Sequence, residues 1–138
     1  MPFHRVYYHV VWATHQRQPL ITAEVETQLF EMLRRKSEQL HSQIWALNGT
    51  EDHLHIAVSI ALSTAVSRWV QEVKGISAYE MNRLFPHLEN HFKWQHSYGI
   101  LTFGAKQLPF VIDYIELQKQ HHASTSLIAY LEQMEDED

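Results

Sequence analysis

The chain has 138 residues, 45% of them apolar, and no cysteine. That is enough apolar surface for one domain core, it excludes disulfides, and it leaves only His, carboxylate or amide groups to hold a metal. The net charge of −5 argues at first against nucleic acid, but Glu132 to Asp138 carry five of the sixteen acidic residues, so residues 1–131 hold eleven charges of each sign. We therefore expect one domain over 1–131, followed by a solvated acidic tail over 132–138. No stretch approaches the roughly 20 apolar residues of a membrane helix, and the N-terminus lacks a signal-peptide layout, which together point to the cytoplasm.

Phe3 to Trp12 is rich in β-branched and aromatic residues and predicts a first strand. Thr22 is a candidate N-cap for a helix over Ala23–Leu40, whose apolar stripe runs Val25, Leu29, Phe30, Met32 and Leu33. Ile44–Leu47 reads as a second strand, Asn48-Gly49 as a turn, and His53–Ile60 as a third strand in an antiparallel hairpin with the second. Ser63 is the expected cap of a helix over Thr64–Leu84, ended by Phe85-Pro86. Phe92–Gln95 and Tyr98–Phe103 predict an interrupted fourth strand. A final helix is expected over Leu108–His122, with Pro109 in its first turn, and a short helical stretch over Ser126–Met134. This order predicts an α+β fold, the split β-α-β arrangement of ferredoxin-like sheets with helices on one face, plus a C-terminal helix that bears Tyr114.

Two local features carry chemistry. In Asp52-His53-Leu54-His55 on a strand, residues i and i+2 share a face, so both imidazoles point one way and Leu54 the other. Such a pair is a ready bidentate metal site; on spacing alone two half-exposed histidines on a polar strand face are the commoner case. Tyr114 and Gln118 are four residues apart on the last helix and so share its face, with Val111 and His121 on the same stripe. Tyr114 is by itself equally a core aromatic. Taken together, a divalent metal on two imidazoles and an amide oxygen, with a tyrosine beside it, forms a phosphodiester-cleaving constellation.

The His53-Leu54-His55 strand resembles the His-hydrophobic-His signature of the HUH nucleases. The stretch Tyr114-Ile115-Glu116-Leu117-Gln118 resembles the single-tyrosine helix of small bacterial transposases of the insertion-sequence-two-hundred-like family, which includes the repeat-associated tyrosine transposases. The likeness extends through Tyr8-His9-Val10-Val11-Trp12, Asn48-Gly49, Lys74-Gly75-Ile76-Ser77, Trp94-Gln95, Tyr98-Gly99 and His121-His122. It implies a bacterial transposase that nicks and rejoins single-stranded, hairpin-forming DNA through a 5′-phosphotyrosine bond at Tyr114. It also implies Mg²⁺ or Mn²⁺ on His53, His55 and Gln118, and a homodimer. Lys74, Arg17 and Arg68 are the leading candidates for phosphate contact, with Arg83 and Lys106 behind them. The acidic balance and short C-terminal end support a second reading, a domesticated or inactive relative that binds hairpin DNA without cutting.

Overall fold

The computed structural model describes residues 5–124 and 128–134. A four-stranded sheet in the order β2-β3-β1-β4 runs through its middle. The strands are β1 (Tyr7–Ala13), β2 (Gln43–Gly49), β3 (His53–Ser59) and β4 (Gly99–Phe103). Every neighbouring pair is antiparallel. Helix α1 (Ala23–Gln39) links β1 to β2, and α2 (Val66–Leu84) links β3 to β4. The expected ferredoxin-like order is therefore the observed one.

Strand alternation divides the sheet into two faces with different contents. Val10, Trp12, Leu54, Ile56 and Val58 meet Val25, Leu29 and Leu33 of α1 and Trp69, Val70, Val73 and Met81 of α2 in the main core. The indole N–H groups of Trp69 and Trp94 are satisfied inside it by Ser37 and Ser77, at 3.1 and 3.0 Å. The opposite face carries His9, Val11, Ala13, His53, His55 and Ala57. Ala46 and Ala57 there form a shallow seat for Val111 and Ile115 of α3 (Leu108–Glu116). Small residues at those two positions let the tyrosine-bearing helix lie close to the sheet.

Several boundaries differ from expectation for identifiable reasons. Phe3 and His4 lie outside the described residues, and pairing starts at Tyr7. Thr22 caps α1 as expected, accepting from Val25 N at 3.3 Å, but α2 begins at Val66 without a side-chain cap. Asn48-Gly49 is not a turn. Both residues pair with β3, and the hairpin reverses over 50–52 instead. Gly49 is needed there because a Cβ would fall 2.1 Å from the His53 carbonyl oxygen. The fourth strand shortens to β4, and Trp94 keeps only an isolated bridge to Thr14.

The expected last helix breaks at Leu117 into α3 and α4 (Gln118–Ser124). The side chain of Asn48 donates to the Glu116 carbonyl at 2.9 Å and so satisfies an acceptor at the end of α3. Ser126 and Leu127 lie outside the described residues, while α5 (Ala129–Glu132) is helical within the expected C-terminal stretch.

Residues 128–134 fold back across the second face of the sheet. Met134 packs on Val11 and Ala13, and Leu131 is also buried. The strap passes so close to β4 that a Cβ on Gly99 would lie 1.7 Å from the Gln133 carbonyl oxygen. Gly99→Val therefore forces the strap away, at a cost of about 1–3 kcal/mol for an overpacked site. Hydrogen exchange should show faster amide exchange over 128–134 with β1 and β3 still protected; unchanged exchange in the strap would contradict this packing.

Candidate active site

His53 and His55 project from β3 into the space between the sheet, α3, α4 and the strap. They are 1% and 0% exposed, so they are core groups rather than the half-exposed pair the spacing also allowed. Burying two imidazoles requires partners for their nitrogens, and each ring has one. His53 Nδ1 is 2.9 Å from Asp52 Oδ1 and 2.9 Å from Thr50 Oγ1. A carboxylate only accepts, so this nitrogen carries the proton and Nε2 keeps its lone pair. Burial would raise the Asp52 pKa, but the hydrogen bond from His53, with Arg17 and Thr50, outweighs it and holds the carboxyl below its ordinary value. His55 Nδ1 is 2.8 Å from Nε2 of buried His9 on β1.

The Nε2 side of both rings faces Glu132. His55 Nε2 is 3.0 Å from Glu132 Oε1. His53 Nε2 at 3.5 Å and His122 Nε2 at 3.3 Å approach the same oxygen without hydrogen-bond geometry. The other carboxylate oxygen accepts from the Tyr114 hydroxyl, and from Gln118 Nε2 at 3.3 Å. The ligand atoms of His53, His55, His122 and Glu132 all lie within 4.8 Å of one another. His53 Nε2, His122 Nε2 and Gln118 Oε1 are buried without a hydrogen-bond partner. Three orphaned lone pairs around one carboxylate fit a cation, which is the group that satisfies such atoms at once.

Electrostatics follows from this crowding. Burial pushes the His55 pKa down despite the neighbouring carboxylate, and burial with His53 lowers that of His122, so both rings favour the neutral form that a metal requires. Burial alone would raise Glu132, but the contacts from His53 and His55 outweigh it and hold the carboxyl far below the usual range. Tyr114 is pushed up to about 12, first by burial and then by its bond to Glu132. The phenol is thus a poorer nucleophile than free tyrosine until positive charge arrives beside it. Tyr114 Oη also accepts from Ile128 N at 3.1 Å, and its ring stacks on His121 at 4.6 Å.

The structure thus brings together Tyr114, His53, His55 and Gln118, and adds two residues that the sequence reading left aside. In the sequence His122 stands out only as part of the His121-His122 pair of the family likeness. Glu132 was assigned to the solvated tail; its side chain is instead 15% exposed and bonded to the site's imidazoles and phenol, because the strap turns it inward. The pairing of Glu132 and His122 with the strand histidines carries no spacing signal, since the partners are far apart in the chain.

The candidate cations lie elsewhere, with one exception. Arg17 borders the site through Asp52 at 3.4 Å and reaches Met134 Sδ at 3.4 Å. Arg68 is exposed on α2, 3.9 Å from Glu72. Arg83 pairs with Glu80, and Lys106 is exposed on the turn before α3. Lys74 is committed to the backbone: its ammonium donates to the carbonyls of Gln95, His96 and Ser97 at 2.6, 3.3 and 3.3 Å. Burial pushes its pKa down to about 8.

The IS200-like transposase family model matches residues 2–118. The chain belongs to this family. Among curated proteins it is 29% identical over 115 residues to the ISDra2 transposase TnpA of Deinococcus radiodurans, covering 80% of this chain and 82% of that one. A crystal structure assigned as a transposase from the same organism aligns with a TM-score of 0.70 at 29% identity, over 85% of this chain and 93% of the other. A repeat-associated tyrosine transposase bound to a REP hairpin shares the fold, with a TM-score of 0.60 at 18% identity, over 86% of this chain and 68% of that one. The family match ends at Gln118, so His122 and Glu132 follow the matched stretch. No helix among the described residues is long and apolar enough to cross a membrane.

Lys74 and Arg68 of α2 separate a structural role from a surface one. Lys74→Met should destabilise the protein by about 1.5–3 kcal/mol, the scale of charged hydrogen bonds. Arg68→Met should change it by less than about 1 kcal/mol, as for an exposed pair. Urea unfolding measures both; equal effects would show that the 95–97 segment does not depend on Lys74.

Proposed function

We propose that this transposase nicks and rejoins single-stranded DNA at a metal-assisted tyrosine centre contained within one chain. The observation that carries the reading is the shared Glu132 carboxylate, which joins the Tyr114 hydroxyl to the imidazoles of His53, His55 and His122. His53 and His55 would hold Mg²⁺ or Mn²⁺ through Nε2, with Glu132, His122 and the free Gln118 Oε1 available to complete the shell. When bound, the cation supplies Lewis-acid polarisation of a phosphate and positive charge beside the phenol.

The remaining work belongs to the chain. Glu132 orients Tyr114 and is placed to take its proton as Oη bonds to phosphorus. The bond from phosphorus to the 3′ oxygen breaks, the proton taken by Glu132 passes to that oxygen, which leaves as a hydroxyl, and the 5′ phosphate stays on the tyrosine. The reverse attack by a 3′ hydroxyl restores the phosphodiester and frees Tyr114, so rejoining needs no outside energy source. His121 stacks against the phenol and limits its swing.

For the substrate, the hairpin held by the repeat-associated relative supports hairpin-forming DNA here. Arg17, at the edge of the site, and Arg68 are the cations we assign to phosphates, while Lys74 shapes the neighbouring 95–97 segment. A homodimer is supported by the open edge of β4, which pairs only with β1 among the described residues, and by exposed Leu101 and Phe110 beside it.

The test mixes protein, Mn²⁺ and an end-labelled single-stranded hairpin, and reads covalent adduct on a denaturing gel. Wild type should form an adduct that Tyr114→Phe and His53→Ala lack, and Glu132→Gln should form it about a hundredfold more slowly, the lower range for a lost proton acceptor. An adduct that survives Tyr114→Phe contradicts the assignment. Salt-sensitive hairpin binding with no adduct in wild type would instead favour the binding-only relative.

A further inference from the structure

The two strand histidines are anchored differently, and the difference is informative. His53 hands its Nδ1 proton to a carboxylate, Asp52, which fixes one tautomer. His55 meets only another imidazole: His9 Nε2 at 2.8 Å, with ring centroids 5.0 Å apart and planes 30° apart. His9 sits on β1, whose neighbouring residue Val11 is the register partner of His55, and it is 2% exposed. A buried polar side chain on this otherwise small and apolar stretch of sheet costs stability unless its hydrogen bond matters.

We propose that His9 is a positioning residue that holds the His55 ring and sets which of its nitrogens is free to bind a metal, an inference that rests on the metal-site reading above. As an uncharged imidazole, His9 has one donor and one acceptor nitrogen. That makes it a partner for either form of His55. With Glu132 on Nε2, His55 carries its proton there, and Nδ1 accepts from His9 Nε2–H. For Nε2 to offer its lone pair to a cation, the proton must sit on Nδ1, which then donates to a bare His9 Nε2 while His9 holds its own proton on Nδ1. Both arrangements place two protons on the two rings, so the change relocates a proton by way of solvent and neither gains nor loses one. A carboxylate at position 9 would allow only the second arrangement and would add negative charge beside Glu132. An imidazole allows both.

The experiment measures Mn²⁺ binding alone by calorimetry for wild type, His9→Phe and His9→Gln. His9→Phe keeps the volume and removes the hydrogen bond; it should weaken binding about 10–100-fold, the usual cost of losing an outer partner of a ligating imidazole. His9→Gln, whose amide both donates and accepts, should recover most of that loss. Equal binding in wild type and His9→Phe, or equal losses in the two variants, would overturn the proposal. Wild type with no binding that His53→Ala removes would defeat the metal-site reading itself, and this inference with it. A second measurement needs no variant: ¹⁵N spectra of wild type should show His55 protonated on Nδ1 in Mg²⁺ and on Nε2 without it. The same His55 tautomer in both conditions would overturn the proposal even if His9→Phe fails to fold.

Discussion

The Glu132 carboxylate fastens the C-terminal strap to the sheet and to both α3 and α4. Glu132 is near the C-terminal end of the described chain, yet its oxygens meet imidazoles from β3 and α4 and the phenol of α3. A lone buried carboxylate is costly to desolvate, and it stays charged here because donors surround it. The other features of this face serve that arrangement. Ala46 and Ala57 let α3 lie close enough for Tyr114 to reach it, Asn48 ends α3 where α4 must turn His122 toward the sheet, and Gly99 leaves room for the strap that carries it.

Much of the architecture was legible in the sequence because alternation and helical periodicity are local signals. Thr22 marked the start of α1, and the apolar stripe through Val25, Leu29 and Leu33 marked its buried face. The pattern His53-Leu54-His55 correctly placed two imidazoles together and Leu54 on the other side. The misplaced elements are those decided at a distance. Asn48-Gly49 has turn composition, but its backbone is claimed by β3 and its side chain by the end of α3. The helix through Tyr114 and Gln118 has unbroken periodicity, and only the contact of Glu116 with Asn48, 68 residues earlier in the chain but adjacent in space, reveals its break.

The site was legible in part for the same reason. Tyr114, Gln118 and the histidine pair each sit in short motifs. Glu132 lies in a run of acidic residues whose composition describes a solvated tail, and nothing local distinguishes it from its neighbours. Only the packing of Leu131 and Met134 turns that one carboxylate inward. His9 lies in an aromatic and β-branched strand and within the family likeness, but a partner for another imidazole leaves no mark in composition.

The central claim is that Nε2 of His53, Nε2 of His55 and the Glu132 carboxylate converge on one cation beside Tyr114 of the same chain. Crystals soaked in Mn²⁺ and measured for anomalous scattering test it most directly. The account predicts one strong peak within bonding distance of those three groups and close to Tyr114 Oη. A peak held by other residues, or ordered His53 and His55 with no peak between them at saturating Mn²⁺, would contradict it.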